Sequence, residues 1–592
     1  MCHHFARATG HCAAALLDER LYDGSMIILH LIASLVGVQP VTEAKMSWRF
    51  DSPEEIRLWA FDVTGDAKRR MPTPKVENGR LTLLESWMRS SAAVALPFES
   101  EELPERFEVA WTLVMNTGTE GMGLAWVDVT GGGFGGVSGV PTPMPFEQSR
   151  DPGGNAMIPP PRWSWEAPNL RGAFGVGIDA SNPVNRDPFG GSGNVMDRPQ
   201  HEMSLHWDGL EIIKKTTATE FRDEKPHKVR VSGEFVTGGA VVTLTLDEEV
   251  VFDEYFIAGM MPFAGRAVFG AANGDTSGDV LLDDVTISTF GVRQRAEAPH
   301  RVVVMDRVLN DQSRGENKAE VELPSSTDEY GRIIATLRLD KPATRFDPWD
   351  RIAHVFVEDL DGSNRTELIR YITPYHRGFE WKVDVTDLRP LLMGKKRIVQ
   401  ACGTYGEGWL VSVTLDYYPG PTQDGLIAEK VIALWNGHPV IGDPANPPEK
   451  FYEAKSFTLE PWVAAAKVRV TVTGHGMSPN TSNAAEFMPL ERTLKANGAE
   501  FKNNLWKTDN YLNPCRPQGG TWKYDRAGWA PGDVALPWVV DVTKTVGGNR
   551  ALTLEYILAP YVNEARGQTS APTHATQSQL VLFRRVAEKI SP

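Results

Sequence analysis

From about Met46 onward the chain is written in short β-branched runs separated by turn formers. Val241-Val-Thr-Leu-Thr-Leu246 and Val468-Arg-Val-Thr-Val-Thr473 are typical: six residues that alternate or are β-branched, bounded by Gly, Pro, Asp or His-Gly, as half-buried strands require. Few stretches repeat apolar residues at helical spacing over three turns, which excludes a helical bundle. Many short antiparallel strands bury their apolar sides best as two packed sheets. An all-β fold of consecutive sandwiches is therefore predicted. The 592 residues allow about three to four domains at roughly 150 residues each, and 54 Gly with 41 Pro supply the turns.

The charge balance narrows the partners. Lys and Arg number 61 against 76 Asp and Glu, a net charge of -15. A general nucleic-acid binder needs a basic face, so no nucleic-acid partner is expected. With 41% hydrophobic residues the chain can bury real cores. Its four cysteines, Cys2, Cys12, Cys402 and Cys515, have no CxxC spacing, so neither a zinc site nor a redox motif is supported. Cys402 and Cys515 read as lone core thiols, with a disulfide between them left open.

Near the N-terminus, Met26 to Val38 is an apolar run of signal-peptide length followed by small residues at Thr42 and Ala44. It is shorter than the about 20 residues of a membrane span. Residues 1–45 are read as a leader with the true start at Met26, and the protein as secreted or periplasmic without stable membrane insertion.

The first unit is placed at 46–292. Its Gly/Pro-rich insertion between Val129 and Arg171 is long enough to be a binding or disordered loop. The order of its strands resembles the concanavalin A-like jelly rolls of L-type lectins and laminin G-type domains, families that often bind glycans, sometimes with calcium. Asp179, Asn182, Asn185 and Asp187 offer oxygens in one loop, which suits either a hard cation or a polar turn capping its own backbone. A charged linker is read at 293–323. Beyond it, Trp381-Lys-Val-Asp-Val-Thr386 recurs as Trp538-Val-Val-Asp-Val-Thr543, each followed by a β-rich run. Two successive sandwiches of one plan, 324–420 and 421–592, explain the repeat, with Tyr418-Pro-Gly-Pro421 as a hinge between them.

No HExxH, GxSxG or phosphate-binding GxxxxGK[ST] occurs, and no metal or other cofactor is expected. Carboxylates beside aromatics are the stronger signal. Asp347-Pro-Trp-Asp-Arg351 sets Asp350 at the start of a strand, with Trp349 to stack on a sugar ring and Arg351 to keep a carboxylate ionised. Asn483-Ala-Ala-Glu-Phe487 and Tyr524-Asp-Arg-Ala-Gly-Trp529 offer a second acid, Glu486, with Arg526 and Trp529. Two such carboxylates meeting at a domain interface form a general acid/base pair.

Asp350-Arg351, Ile372-Thr-Pro-Tyr375, Val383-Asp-Val-Thr-Asp387, Gly474-His475, Ala485-Glu486 and Asp525-Arg-Ala-Gly-Trp529 occur in the order and with the spacing of the peptide-N-glycosidase F family. The C-terminal half resembles that family from about 324 to 592. The resemblance implies two adjacent eight-stranded jelly rolls with the active site in the cleft between them. It implies hydrolysis of the amide between Asn and the innermost N-acetylglucosamine of an N-glycan, leaving Asp and a glycosylamine that releases ammonia, without a metal. On it, Asp350 is the essential aspartate that contacts the innermost sugar and positions or activates water. Glu486 assists at the peptide-side amide, Arg351 and Arg526 orient the carboxylates, and Trp349 and Trp529 shape the cleft. The partners it implies are N-glycosylated peptides or proteins and their glycans.

The chain departs from that pattern at three places. The family's third acid falls near Ala401, with Glu407 six residues on. Its disulfide cysteine after DRAGW is Ala530, and the tryptophan after its second acid is Phe487. Loss of the third acid keeps open a non-catalytic glycan-binding protein on the same scaffold. A copper monooxygenase shares the paired jelly-roll plan, but it needs clustered His and Met ligands and no HxH pair occurs in the C-terminal half.

Overall fold

In the computed structural model of the protein, the described residues are 43–57, 60–65, 74–97, 103–128, 165–182, 198–274, 276–291, 297–445, 447–476, 485–516, 518–561 and 572–586. The apolar leader, most of the 129–171 insertion, Asn185 and Asp187 lie outside them. The fold is all-β, and among the described residues only short 3-10 turns accompany the strands. Among the described residues no helix is long and apolar enough to cross a membrane.

The first sandwich packs an eight-stranded sheet on a seven-stranded one. Strand Arg106–Met115 shows why: Phe107, Val109, Trp111 and Leu113 alternate inward, following the two-residue period of a pleated strand. Phe107 stacks on Trp126 of the facing sheet at 5.6 Å. The opposite face of the seven-stranded sheet is floored by small residues and covered by Trp165–Leu170. A β-carbon at Gly270 would stand 1.9 Å from the Trp165 ring, so the floor must stay bare for this strap to lie down. The stretch 165–170 of the insertion is thus packed against the sheet. The first strand begins at Glu43 and pairs with Phe290 at the far end of the domain.

The two C-terminal sandwiches share one topology. In chain order the middle one uses His300–Asn310, Glu316–Glu322, Tyr330–Asp340, Ile352–Glu358, Thr366–Ile372, Glu380–Asp384, Lys395–Cys402 and Trp409–Pro419. The last uses Leu426–Ala433, Lys455–Thr458, Ala465–His475, Glu491–Ala496, Ala499–Asn504, Trp538–Asp541, Ala551–Leu558 and Thr573–Arg585. In both, the first, eighth, third and sixth strands form one sheet and the second, seventh, fourth and fifth the other. This is the jelly-roll order.

The sequence repeat falls on the sixth strand of each. Asp384 accepts from the Thr386 amide and Asp541 from the Thr543 amide, both at 2.8 Å. The two threonine hydroxyls then accept from Ile333 N and Ala466 N at 2.9 and 3.0 Å. The repeated Asp-Val-Thr is a corner that ties the sixth strand back to the third.

One boundary needs correction. The linker read at 293–323 contains His300–Asn310 and Glu316–Glu322, edge strands of the two middle sheets. The sequence hides them because an edge strand exposes much of its surface and so carries charge. The segment Tyr418–Pro421 is no free hinge either. Phe256 of the first sandwich fills the space beside Gly420.

The first sandwich is packed firmly against the other two. Lys214 donates to Asp509 at 2.7 Å, Lys382 to Asp208 at 2.6 Å, and Arg332 lies 5.0 Å from the Tyr255 ring centre.

Candidate active site between the C-terminal sandwiches

Main-chain bonds stitch the middle and last sandwiches together. Ile372 N donates to Asp533 O, Gly532 N to Ile372 O, and Ala535 N to Arg370 O, at 2.8–3.0 Å. Beside this seam lies a buried ion cluster. Glu367 takes Arg370 bidentately, at 3.1 and 2.9 Å, and also bonds His354. Arg370 in turn reaches across to Ala575 O and, at 3.2 Å, to Thr473 Oγ1. Burial alone would raise the Glu367 carboxyl, but Arg370 and His354 hold it below its ordinary value. This latch fixes how the two sandwiches meet.

Asp350 stands just before strand Ile352–Glu358, on a turn that the Thr-Pro-Tyr segment clamps. Arg351 N donates to Thr373 Oγ1 at 2.7 Å, and that hydroxyl donates to Trp349 O at 2.8 Å. Thr373 N completes the clamp on Arg351 O at 3.0 Å. Tyr375 then donates its hydroxyl to Asp350 Oδ2 at 2.7 Å. From below, buried Asp347 accepts from Trp349 N, Arg351 Nε and Thr404 Oγ1.

Glu486 is presented differently. Ala485 before it has a φ of +61°, a left-handed backbone that alanine adopts at a cost of about 1–3 kcal/mol. It is held there because Glu486 O accepts from Ala527 N at 2.9 Å, while Gly474 N bonds Ala527 O at 2.9 Å. Arg526 lies buried and donates to Glu486 Oε1 at 3.3 Å and to Thr521 O at 2.8 Å. It also bonds Thr521 Oγ1, which is 3.4 Å from the Tyr375 hydroxyl.

The two carboxylates, one from each sandwich, are therefore joined through Tyr375, Thr521 and Arg526. Burial raises the Asp350 carboxyl above the ordinary aspartate range, against the opposing pull of Arg526 and of the Tyr375 hydroxyl. The same burial, with Asp350 beside it, pushes the Tyr375 phenol up. Tyr375 therefore stays a proton donor at neutral pH.

The aromatic residues divide. Trp349 is 58% exposed, open to stack on a substrate ring. Trp529 is 3% exposed; it donates to Gly474 O at 2.7 Å and its ring centre lies 4.9 Å from the Arg526 guanidinium. Phe487 lies at the same 4.9 Å from that guanidinium. Trp529 thus positions Arg526 and does not line the cleft as expected. Sequence reasoning also missed Tyr375 and Thr521 as connecting groups, although Tyr375 lies in a quoted motif. Tyr405, 87% exposed and 5.3 Å from Arg351 Cζ, was missed too. Its signal is an aromatic between glycines, Gly403-Thr-Tyr-Gly406.

Ala401 pairs in register with His354 and Glu316, so the strand brings no acid there. Glu407 lies beyond the strand end and accepts from Arg345 N at 3.0 Å; it does not join the Asp350 network. Cys402 and Cys515 are both free and buried, and burial pushes each thiol up to about 12. Such thiols are unreactive. Among the described residues, no group of three or more His, Cys, Asp or Glu side chains is placed to hold a metal ion.

Comparison with known proteins adds to this geometry. Residues 448–581 match the family model described as Peptide-N-glycosidase F, C terminal. Peptide-N(4)-(N-acetyl-beta-D-glucosaminyl)asparagine amidase F from Elizabethkingia miricola is 29% identical over 256 residues, covering 40% of this chain and 71% of that protein. Among solved structures, PNGase F, a glycosylasparaginase from Flavobacterium meningosepticum, is similar to 49% of this chain over 97% of its own. Its identity is 22% and its TM-score 0.43. PNGF-II is similar to 81% of this chain over 99% of its own, with 13% identity and a TM-score of 0.38.

Proposed function

We propose that this chain, whose residues 448–581 match the family model described as Peptide-N-glycosidase F, C terminal, hydrolyses the amide joining Asn to the innermost N-acetylglucosamine of N-glycans. The observation that carries the reading is the chain of contacts from Asp350 through Tyr375, Thr521 and Arg526 to Glu486, which spans both sandwiches.

The chemistry follows from those groups. Asp350, its carboxyl raised by burial, is placed to act as a general base. It takes a proton from a water as that water's oxygen bonds to the amide carbonyl carbon. Charge then develops on the carbonyl oxygen, and the fixed positive charge of Arg526 lies in a water-poor site where such stabilisation is strongest. Collapse breaks the carbon–nitrogen bond, and the departing nitrogen takes the proton that Asp350 accepted from the water, which restores the carboxylate, with Glu486 assisting on the peptide side. The peptide keeps Asp; the glycosylamine then loses ammonia to water. Trp349 offers its exposed face to a sugar ring, and Arg351 sits beside it over Tyr405. N-glycosylated peptides and proteins are the substrates this reading assigns, met by a secreted or periplasmic protein.

Incubating the protein with a denatured N-glycoprotein, beside its Asp350→Ala variant, tests this. Glycan loss with Asn converted to Asp, seen by peptide mass and absent in the variant, is expected. An intact glycopeptide at both acidic and neutral pH would sink the reading. A second reading is a non-catalytic glycan-binding protein, favoured by the alanine at 401 where the family carries its third acid. It predicts glycan binding without turnover, with Asp350→Ala changing affinity only.

A further inference from the structure

Away from the seam, a cleft of about 650 Å³ is bounded by all three sandwiches. That volume lies within the about 300–1,000 Å³ of small-molecule sites. We propose that this inter-domain cleft is a second glycan-binding site, one that takes a short neutral oligosaccharide.

Its charges argue against an anion. Five cations and six carboxylates line it, and most are matched. Lys214 and Lys507 both donate to Asp509, at 2.7 and 2.6 Å, and Lys382 donates to Asp208 at 2.6 Å. Arg332 is 3.3 Å from Asp384. Little positive field is left over for a phosphate or a sialic acid.

The groups without partners point to hydroxyls. The Glu211 side chain makes no hydrogen bond or ion pair among the described residues, and neither does the Asn504 amide. Among the described residues, the indole N–H of Trp506 and Nη1 of Arg492, in the same wall, have no hydrogen-bond partner. Buried donors left unpaired are costly and call for a reason. A carboxylate that only accepts, donors that only donate and an amide that does both suit a ligand whose every polar group can do either, which is what a hydroxyl is. Trp207, Trp506 and Trp538 add ring surface of the kind that packs on the carbon face of a sugar.

The backbone is shaped to the same end. The strand carrying Glu211 has a β-bulge between Glu211 and Ile213, the device that re-aims side chains beside functional sites. Behind the cleft, Lys507 and Arg526 exchange both main-chain bonds, at 2.7 and 3.3 Å. The back wall of this site is thus the back wall of the Asp350–Glu486 network.

Hydrogen–deuterium exchange of the full chain, with and without a free oligomannose N-glycan, tests the proposal. Protection is expected over 207–214 and 503–513 in the wild type. Glu211→Ala and Asn504→Ala should each weaken that binding by about tenfold, the effect of losing one good hydrogen bond to a charged or amide group. Hydrolysis of a small glycopeptide should not change in either variant. Protection confined to the neighbourhood of Asp350 and Glu486 would overturn the proposal. So would unchanged affinity in both variants, or equal protection of the cleft by a deglycosylated peptide. Because binding is read without turnover, failure of the amidase reading leaves this outcome separately visible.

Discussion

The middle and last sandwiches have the same strand order and the same Asp-Val-Thr corner, yet each brings a different kind of acid to the seam. Asp350 sits on a turn clamped by side-chain bonds from Thr373 and Asp347. Glu486 follows a left-handed alanine pinned by main-chain bonds from Ala527 and Gly474. What the two domains share is the frame. What differs is in the connections between strands, where rigid scaffolds carry their function. A chain that repeats its frame is thus free to make its two carboxylates chemically unequal, as paired acid–base chemistry needs.

The comparison can be broken most severely at Asp350. Asp350→Asn should lower kcat by about 10²–10⁴, the usual worth of a positioned general base, with the far-ultraviolet spectrum unchanged. Arg370→Ala strips Glu367 of its buried partner on the same strand and removes the bonds Arg370 makes across the seam to Ala575 O and Thr473 Oγ1. Such losses cost about 3–5 kcal/mol, so thermal unfolding should drop sharply and separate into stages for the two sandwiches. Tyr375→Phe sharpens the comparison. The Tyr375 hydroxyl favours the charged form of Asp350 while burial opposes it, so its removal should move the acid limb of the pH–rate profile to higher pH. Even in the wild type that limb should lie above the range of an ordinary aspartate. The smallest effect tests the frame. Thr386→Val and Thr543→Val each strip a hydroxyl acceptor from a third-strand amide, costing about 1–3 kcal/mol in urea unfolding. The more buried Thr386 should cost more, and activity should be kept in both.

Much of this was legible in the sequence. The repeat at 381–386 and 538–543 located the two jelly rolls because a corner must be spelled with the same residues wherever it recurs. Asp350 stood out as an acid between Trp349 and Arg351, and Glu486 through the Ala485-Glu486 motif that carries the family resemblance. What stayed hidden has two physical causes. Edge strands such as Glu316–Glu322 bury little, and their exposed positions carry Glu and Lys, so they read as linker. Partnerships across space leave no local mark: Trp529 looked like a cleft residue because nothing in its neighbours says that Arg526 lies on its face. The docking of the first sandwich was invisible for the same reason, since Lys214 and Asp509 are 295 residues apart.

That docking has a consequence for inheritance. A β-carbon at Gly331 would stand 2.9 Å from the Phe256 ring, and one at Gly420 2.5 Å from it. Phe256 belongs to the first sandwich and both glycines to the border of the middle one, so the three positions form a genetic unit. A lineage that shed the first sandwich would remove only the Phe256 side of that constraint, because a β-carbon at Gly331 would still stand 2.4 Å from Pro421 O and Gly420 has a φ of +154°. A lineage that acquired it would need them bare beforehand, so the domain cannot be exchanged as a portable cassette without rewriting its seat.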